Sequence, residues 1–349
     1  MLASGLWKAA PPRARHSVAV GSGHILHVRE YGSPSALPLV YLHGGPGGTT
    51  PPRVAQLVDP AMWRLFTFDQ RGCGECASED ALRDNMTGEL VADVEAVRRA
   101  VGVDRWVVMG SSYGTLLAAL YAARHAEHVS GVVIHATFLG SRRELEWLYE
   151  GGAASFYPEY YAELEEAVAE ELSRARARGE TLPHIAACHA MIDDDRPERA
   201  DARKRAAAAF VAFEDAMETL RPEPAEHADD ELIRGATIQA HYFVHGCFLR
   251  TPEGALPELR EAREALSAVP CAIVHGRHDV ICPPRAAHDL HSAWPRSELH
   301  VVEGGAHALF ERPMRSQVQL CLLKLAQTLG GASSEPGGGG NKRSRHARS

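Results

Sequence analysis

Arg105-Trp106-Val107-Val108-Met109-Gly110-Ser111-Ser112-Tyr113-Gly114-Thr115-Leu116-Leu117-Ala118-Ala119-Leu120-Tyr121-Ala122-Ala123 decides the fold. Its first five residues read as a short buried strand, and the Ala- and Leu-rich run after Gly114 reads as a helix. Between them stands Gly-x-Ser-x-Gly. A strand that turns this sharply into a helix leaves no room for side chains two positions either side of the serine, so glycine is needed there. The turn lifts the Ser112 hydroxyl above the sheet and aims the unpaired N–H groups of the helix N-terminus at the same point. Alone the pentapeptide is a common spacing; in its strand–turn–helix context it marks Ser112 as a nucleophile.

Three further segments agree with it. Leu39-Val40-Tyr41-Leu42 reads as a buried strand running into His43-Gly44-Gly45-Pro46-Gly47-Gly48. A glycine-rich loop lets backbone N–H groups approach a substrate oxygen closely, which acyl transfer requires where the tetrahedral oxyanion forms. The expected donors are the N–H of Gly45 and that of Tyr113, the residue after the nucleophile. Cys271-Ala272-Ile273-Val274-His275 is strand-like and leads to Gly276-Arg277-His278-Asp279, an acid at the sheet edge where open α/β sheets place their sites. Leu299-His300-Val301-Val302-Glu303 is another strand, followed by Gly304-Gly305-Ala306-His307. Most of the 19 histidines are surface or packing residues. His307 stands apart through its position, its glycine turn and its partners. The order Ser112, Asp279, His307 is that of α/β-hydrolases; His307 would take the serine proton while Asp279 fixes its tautomer.

With these residues the chain resembles the proline iminopeptidases, or prolyl aminopeptidases, over about Gly21 to Gly330. His43 to Gly48 is similar to the family's oxyanion loop. Phe68-Asp69-Gln70-Arg71-Gly72-Cys73-Gly74 resembles its D-Q-R-G-x-G-x-S segment, with Cys76 and Ala77 near the usual serine. Asn85-Met86-Thr87 and Leu90 to Glu95 resemble the helix that follows. The resemblance implies an α/β-hydrolase fold, a mostly parallel central sheet with helices on both faces, plus an inserted helical cap. The expected organisation is a leading segment at 1–20, hydrolase core at 21–139 and 267–330, a cap at 140–266 and a disordered basic tail at 331–349. The cap boundaries rest on a change of pattern: between them the strand signal stops, and Ala/Glu/Arg-rich helices such as Tyr161 to Arg178 and Asp201 to Leu220 replace it.

The resemblance also implies substrate contacts. Phe210-Val211-Ala212-Phe213-Glu214 resembles the W-x-x-W-E segment whose glutamate binds the substrate's free amine, so Glu214 is the expected ammonium anchor. Asp215, its helical neighbour, is expected to point elsewhere. A second family glutamate is replaced by Gln239 in Thr237-Ile238-Gln239-Ala240-His241-Tyr242-Phe243. A charge-assisted bond contributes about 1.5–3 kcal/mol against about 1 for a neutral one, so the exchange weakens ammonium binding by roughly ten-fold. Phe138 and Phe243 match aromatics that hold the proline ring. Leu148 stands where a pocket tyrosine is usual, with Tyr149 following; His135 replaces an arginine, and Tyr113 a tryptophan. These departures point to proline or a smaller N-terminal residue such as alanine as the residue released.

Composition agrees with a soluble cytoplasmic enzyme, and the resemblance implies a small peptide or aminoacyl amide as its substrate. A net charge of −8 argues against nucleic-acid binding, and no run of 18 apolar residues spans a membrane. Seven cysteines include only one C-x-x-C, Cys73 and Cys76, so no zinc site, and no cofactor, is expected. Cys282, three residues after Asp279, is expected near the site, where it would confer sensitivity to thiol reagents. Met1 to Arg15 carries basic residues without the apolar stretch of a secretory signal; an ordinary leader or a short transit peptide both fit it. Several activities stay open. One is removal of an aminoacyl protecting group from a biosynthetic intermediate. Another is an esterase of the same fold, disfavoured because an apolar ester offers nothing to Glu214. A third is a non-catalytic binding protein on a hydrolase fold. Epoxide hydrolases and dehalogenases would need an aspartate at Ser112.

Overall fold

Eight strands form one sheet in the order β1-β2-β4-β3-β5-β6-β7-β8. They are β1 (Ala14–Ala19), β2 (Ile25–Tyr31), β3 (Leu37–Leu42), β4 (Trp63–Thr67), β5 (Trp106–Ser111), β6 (Val129–His135), β7 (Cys271–Gly276) and β8 (Ser297–Val302). β1 and β2 run antiparallel at one edge, and β4 through β8 are parallel. This computed structural model describes residues 5–76, 78, 80–220 and 229–332. The expected tail at 331–349 lies almost wholly outside them.

The parallel strands are buried on both faces, which explains their unbroken apolar runs. Along β5, Trp106 and Val108 face one layer and Val107 and Met109 the other. The first layer holds α1 (Thr87–Ala100), α2 (Tyr113–Arg124) and α10 (Arg285–Ala293); the second holds the long C-terminal helix α11 (Arg312–Ala332). Every parallel strand therefore ends its C-terminal edge between two helical layers, and the edge is where loops can carry chemistry.

Between β6 and β7 the chain leaves the sheet through α3 (Arg142–Tyr149), whose Ser141 and Glu144 form a reciprocal capping box. α4 (Pro158–Ala177), α5 (His184–Ile192), α6 (Ala200–Glu218) and α7 (Asp230–Val244) then pack on one another. Two boundaries differ from the sequence pattern. The segment ending at residue 20 contains β1, which pairs with β2 in register Ala14↔Glu30 to Ala19↔Ile25, so the sheet starts before residue 21. β1 is an edge strand with a single buried residue, Val18, and so lacks an apolar run. At the other end, α8 (Leu256–Glu261) and α9 (Arg263–Leu266) pack on α2 of the sheet layer, not on α4–α7. Helical pattern alone cannot distinguish a helix in an insertion from one flanking a sheet. Among the described residues no helix is long and apolar enough to cross a membrane.

Candidate active site

Ser112 sits between β5 and α2 with φ 54° and ψ −126°, a conformation that costs free energy in any residue but glycine. The surrounding chain enforces it. A Cβ on Gly114 would lie 2.2 Å from the Leu42 carbonyl oxygen, because the elbow presses directly on the end of β3. α2 starts at Tyr113, so its backbone N–H points out of the helix end toward the serine.

The glycine loop after β3 is fixed from beneath. The Gln70 backbone N–H donates to His43 Nε2 at 2.9 Å, and its side-chain amide donates to the His43 carbonyl at 2.8 Å. Arg71, next along, makes a two-pronged ion pair with Asp93 of α1 at 2.6 and 2.7 Å, both side chains buried. The loop also touches α7, since a Cβ on Gly47 would meet the Gly235 carbonyl oxygen at 2.3 Å. Gly45 borders the same cavity as Ser112.

Asp279 and His307 meet above the ends of β7 and β8. His307 Nδ1 lies 2.9 Å from Asp279 Oδ2, and the other carboxylate oxygen accepts the Cys282 N–H at 2.8 Å. Burial pushes the His307 imidazole down, but the Asp279 charge outweighs it and the net shift is upward. Burial alone would raise the Asp279 carboxyl; the charge and bond of His307 lower it instead. Ser112 and His307 line one cavity of about 590 Å³. Among the described residues no hydrogen bond joins Ser112 Oγ to His307; the hydroxyl lies against the Cys282 thiol. That thiol is buried and held well above its ordinary pKa, chiefly by burial. Cys282 is therefore near the site as expected, yet kept as the poorly reactive thiol.

The substrate-side residues separate into three groups. Phe138, Leu148, Phe243, Glu214 and Gln239 border the cavity. Phe138 and Phe243 face each other with ring centroids 5.9 Å apart. Tyr149 stands behind this wall, stacked on Phe210 at 5.4 Å, and its hydroxyl donates to Glu214 Oε1. The Gln239 amide donates to Glu214 Oε2 at 2.6 Å. Burial raises the Glu214 carboxyl to about 7 in spite of these two donors. Among the described residues Glu214 has no Lys or Arg partner. The Tyr113 ring turns into the core, its hydroxyl 2.9 Å from Thr87 and its edge 5.5 Å from Tyr242, so only its backbone faces the serine. His135 borders the cavity near Ser111 on the opposite sheet face from Phe138.

Asp215, an exposed side chain, lines a second cavity with Glu163, Glu170 and Arg205, and it also borders the Ser112 cavity together with Val211, Glu214 and Glu218. With Glu231 this makes four carboxylate side chains on the wall, and no described Lys or Arg lines it.

Residues 38–313 match the family profile described as alpha/beta hydrolase fold. The proline iminopeptidase of Arabidopsis thaliana is 33% identical over 93% of this chain and 83% of its own. That of Xanthomonas citri is 35% identical over 88% of this chain and 94% of its own. The chain belongs to the proline iminopeptidase family of α/β-hydrolases. The crystal structure of the Mycobacterium smegmatis proline iminopeptidase shares its fold, with a TM-score of 0.55 at 21% identity over 90% of this chain and 100% of that one.

Within this iminopeptidase-family site, sequence reasoning missed the supports. His275 accepts the Thr137 N–H at Nδ1 (3.0 Å) and donates from Nε2 to the Cys282 carbonyl (2.6 Å), which ties the end of β6 to the Asp279 loop. The clamp of Gln70 on His43 is of the same kind. Both residues stand inside quoted motifs, but a side-chain-to-backbone bond between distant segments leaves no periodic trace in sequence.

Proposed function

We propose that this protein is a serine aminopeptidase that releases an N-terminal amino acid, proline or a small residue such as alanine, from a peptide or aminoacyl amide. Ser112 Oγ, rotated from Cys282 toward His307, attacks the carbonyl carbon while His307 takes its proton and Asp279 stabilises the resulting imidazolium. The N–H groups of Gly45 and Tyr113 hold the oxyanion. His307 then gives its proton to the leaving nitrogen, and water hydrolyses the acyl-enzyme by the same route. Phe138 and Phe243 hold the ring or side chain of the released residue, with Leu148 leaving more room than an aromatic would. Helices α4–α7 act as a cap that limits entry to the serine, and the compartment is the cytoplasm.

One observation carries the reading. Glu214 is a carboxylate on the cavity wall, held by two neutral donors and, among the described residues, paired with no Lys or Arg. A carboxylate withdrawn from water is costly unless a cation meets it, and the free ammonium of an N-terminal residue is a cation of the right size at the right place. The relatives' shared name, proline iminopeptidase, supports the same substrate class. Two measurements test this. A fluorophosphonate should label Ser112, and a panel of aminoacyl arylamides should give its highest kcat/KM with proline or alanine. Absence of labelling, or a preference for bulky N-terminal residues, contradicts the proposal.

A further inference from the structure

Ser111 and His135 lie side by side, paired in register across β5 and β6 at the C-terminal edge of the sheet. Both border the cavity that holds Ser112 and His307. Both are buried, Ser111 at 7% and His135 at 1% exposure. Yet both ring nitrogens of His135 make no hydrogen bond, and Ser111 Oγ makes none of ordinary length, lying against the Tyr41 hydroxyl. Leaving a buried polar atom unpaired costs about 1–3 kcal/mol, and native structures keep such atoms where something else uses them. Burial and the nearby His307 hold the His135 imidazole down at about 3, so it is neutral, with one donor nitrogen and one acceptor.

The position of the pair says which part of a substrate it meets. Phe138, Leu148 and Phe243 belong to the apolar layer that includes α2 and the inserted helices, and Glu214 stands with them. His135 shares its sheet face with Val133, and Ser111 with Met109, in the layer built on α11. The acyl part occupies the first side. The leaving nitrogen must lie on the side of His307, which donates its proton to it.

We propose that Ser111 and His135 bind the peptide unit that follows the scissile bond, so that the site is built for peptides of three or more residues. A peptide unit offers one carbonyl acceptor and one N–H donor, which matches a neutral imidazole and a hydroxyl. An arylamine leaving group offers neither beyond the scissile nitrogen. A dipeptide places its free carboxylate there instead, in a cavity already bordered by Glu218 and Glu231. This rests on the aminopeptidase reading above.

The test compares kcat/KM for a prolyl tripeptide, the matching dipeptide and a prolyl arylamide in the wild type, His135→Phe and Ser111→Ala. The wild type should prefer the tripeptide to the dipeptide. The tripeptide-to-arylamide ratio should fall about ten-fold in each variant, the loss of one hydrogen bond to a buried group. A ratio that stays unchanged, or tripeptide and arylamide rates that fall in parallel, overturns the proposal. If His135→Phe does not fold, as read by fluorophosphonate labelling, Ser111→Ala carries the comparison. An N-acetylated tripeptide separates the two ideas: if it is cleaved as fast as the free one, the amine anchor fails, while the ratio still reads the leaving-group contact.

Discussion

Glu214 is the residue at which stability and function pull apart. Its carboxyl is raised to about 7 from an ordinary value near 4.5, chiefly by burial. An acid whose folded pKa lies above its unfolded one stabilises the fold below the unfolded value and loses that contribution as pH rises through the folded value. Glu214→Gln should therefore raise the melting temperature at pH 8, by the equivalent of about 1–3 kcal/mol, and change it little at pH 4. The same substitution should raise KM for free-amine substrates by ten-fold or more, leaving kcat less affected. Thermal melts at the two pH values and steady-state kinetics check both halves. Gln239 has the opposite character: it gives Glu214 a proton donor at 2.6 Å, so Gln239→Glu sets two carboxylates side by side. They would share a proton until an ammonium arrives, which moves the acid limb of kcat/KM to higher pH. Restoring the second carboxylate should also increase the prolyl-to-alanyl ratio of kcat/KM; an unchanged ratio marks Gln239 as a neutral exchange. Ser112→Ala should lower kcat by several orders of magnitude with the melting temperature preserved, because triad members act as a unit.

At the scale of elements, the site depends on loops fixed at both ends. The loop after β4 is clipped to α1 by Arg71 and Asp93, and through Gln70 it holds the glycine loop after β3. Arg71→Ala should destabilise the fold by about 3–5 kcal/mol in denaturant unfolding, since it strands the buried Asp93. The Arg71→Ala/Asp93→Ala double variant should lose less than the sum of the singles. Much of this scale was legible in sequence. The β5–Ser112–α2 turn, β3 with its glycine loop, and β7 and β8 with their acid and histidine all carry long apolar runs followed by glycine, because the strands are buried on both faces. β1 was not legible, for it is a half-exposed edge strand with one buried side chain. The boundary of the inserted helices was misjudged for a related reason: α8 and α9 look like α4–α7 in composition, and only packing on α2 assigns them to the sheet layer. For Glu214 and Asp215 the sequence gives the angle between neighbouring side chains on a helix but not the width of the cavity that both border.

For the molecule as a whole, charge and topology act together. The parallel strands deliver Ser112, Asp279 and His307 to one edge, and α6 and α7 bring carboxylates over it, with no Lys or Arg among the described residues that line the cavity. Such a wall attracts a cationic N-terminus and repels an anionic substrate. It also sets a pH window. Protonation of Glu214 near 7, together with that of His307, whose pKa is raised by Asp279, should depress kcat/KM on the acid side. Loss of the substrate's ammonium should depress it above about 8. A bell centred between these limits is expected for a free-amine arylamide.

The central claim is that the amine, and not merely the acyl group, is recognised. The most direct measurement is kcat/KM for a prolyl arylamide with a free amine against the same compound N-acetylated, at pH 7.5. Loss of the charge-assisted contact to Glu214, with an acetyl group crowded against a carboxylate, predicts a preference of about a hundred-fold or more for the free amine. Equal rates for the two compounds would contradict it and leave an esterase-like hydrolase in its place.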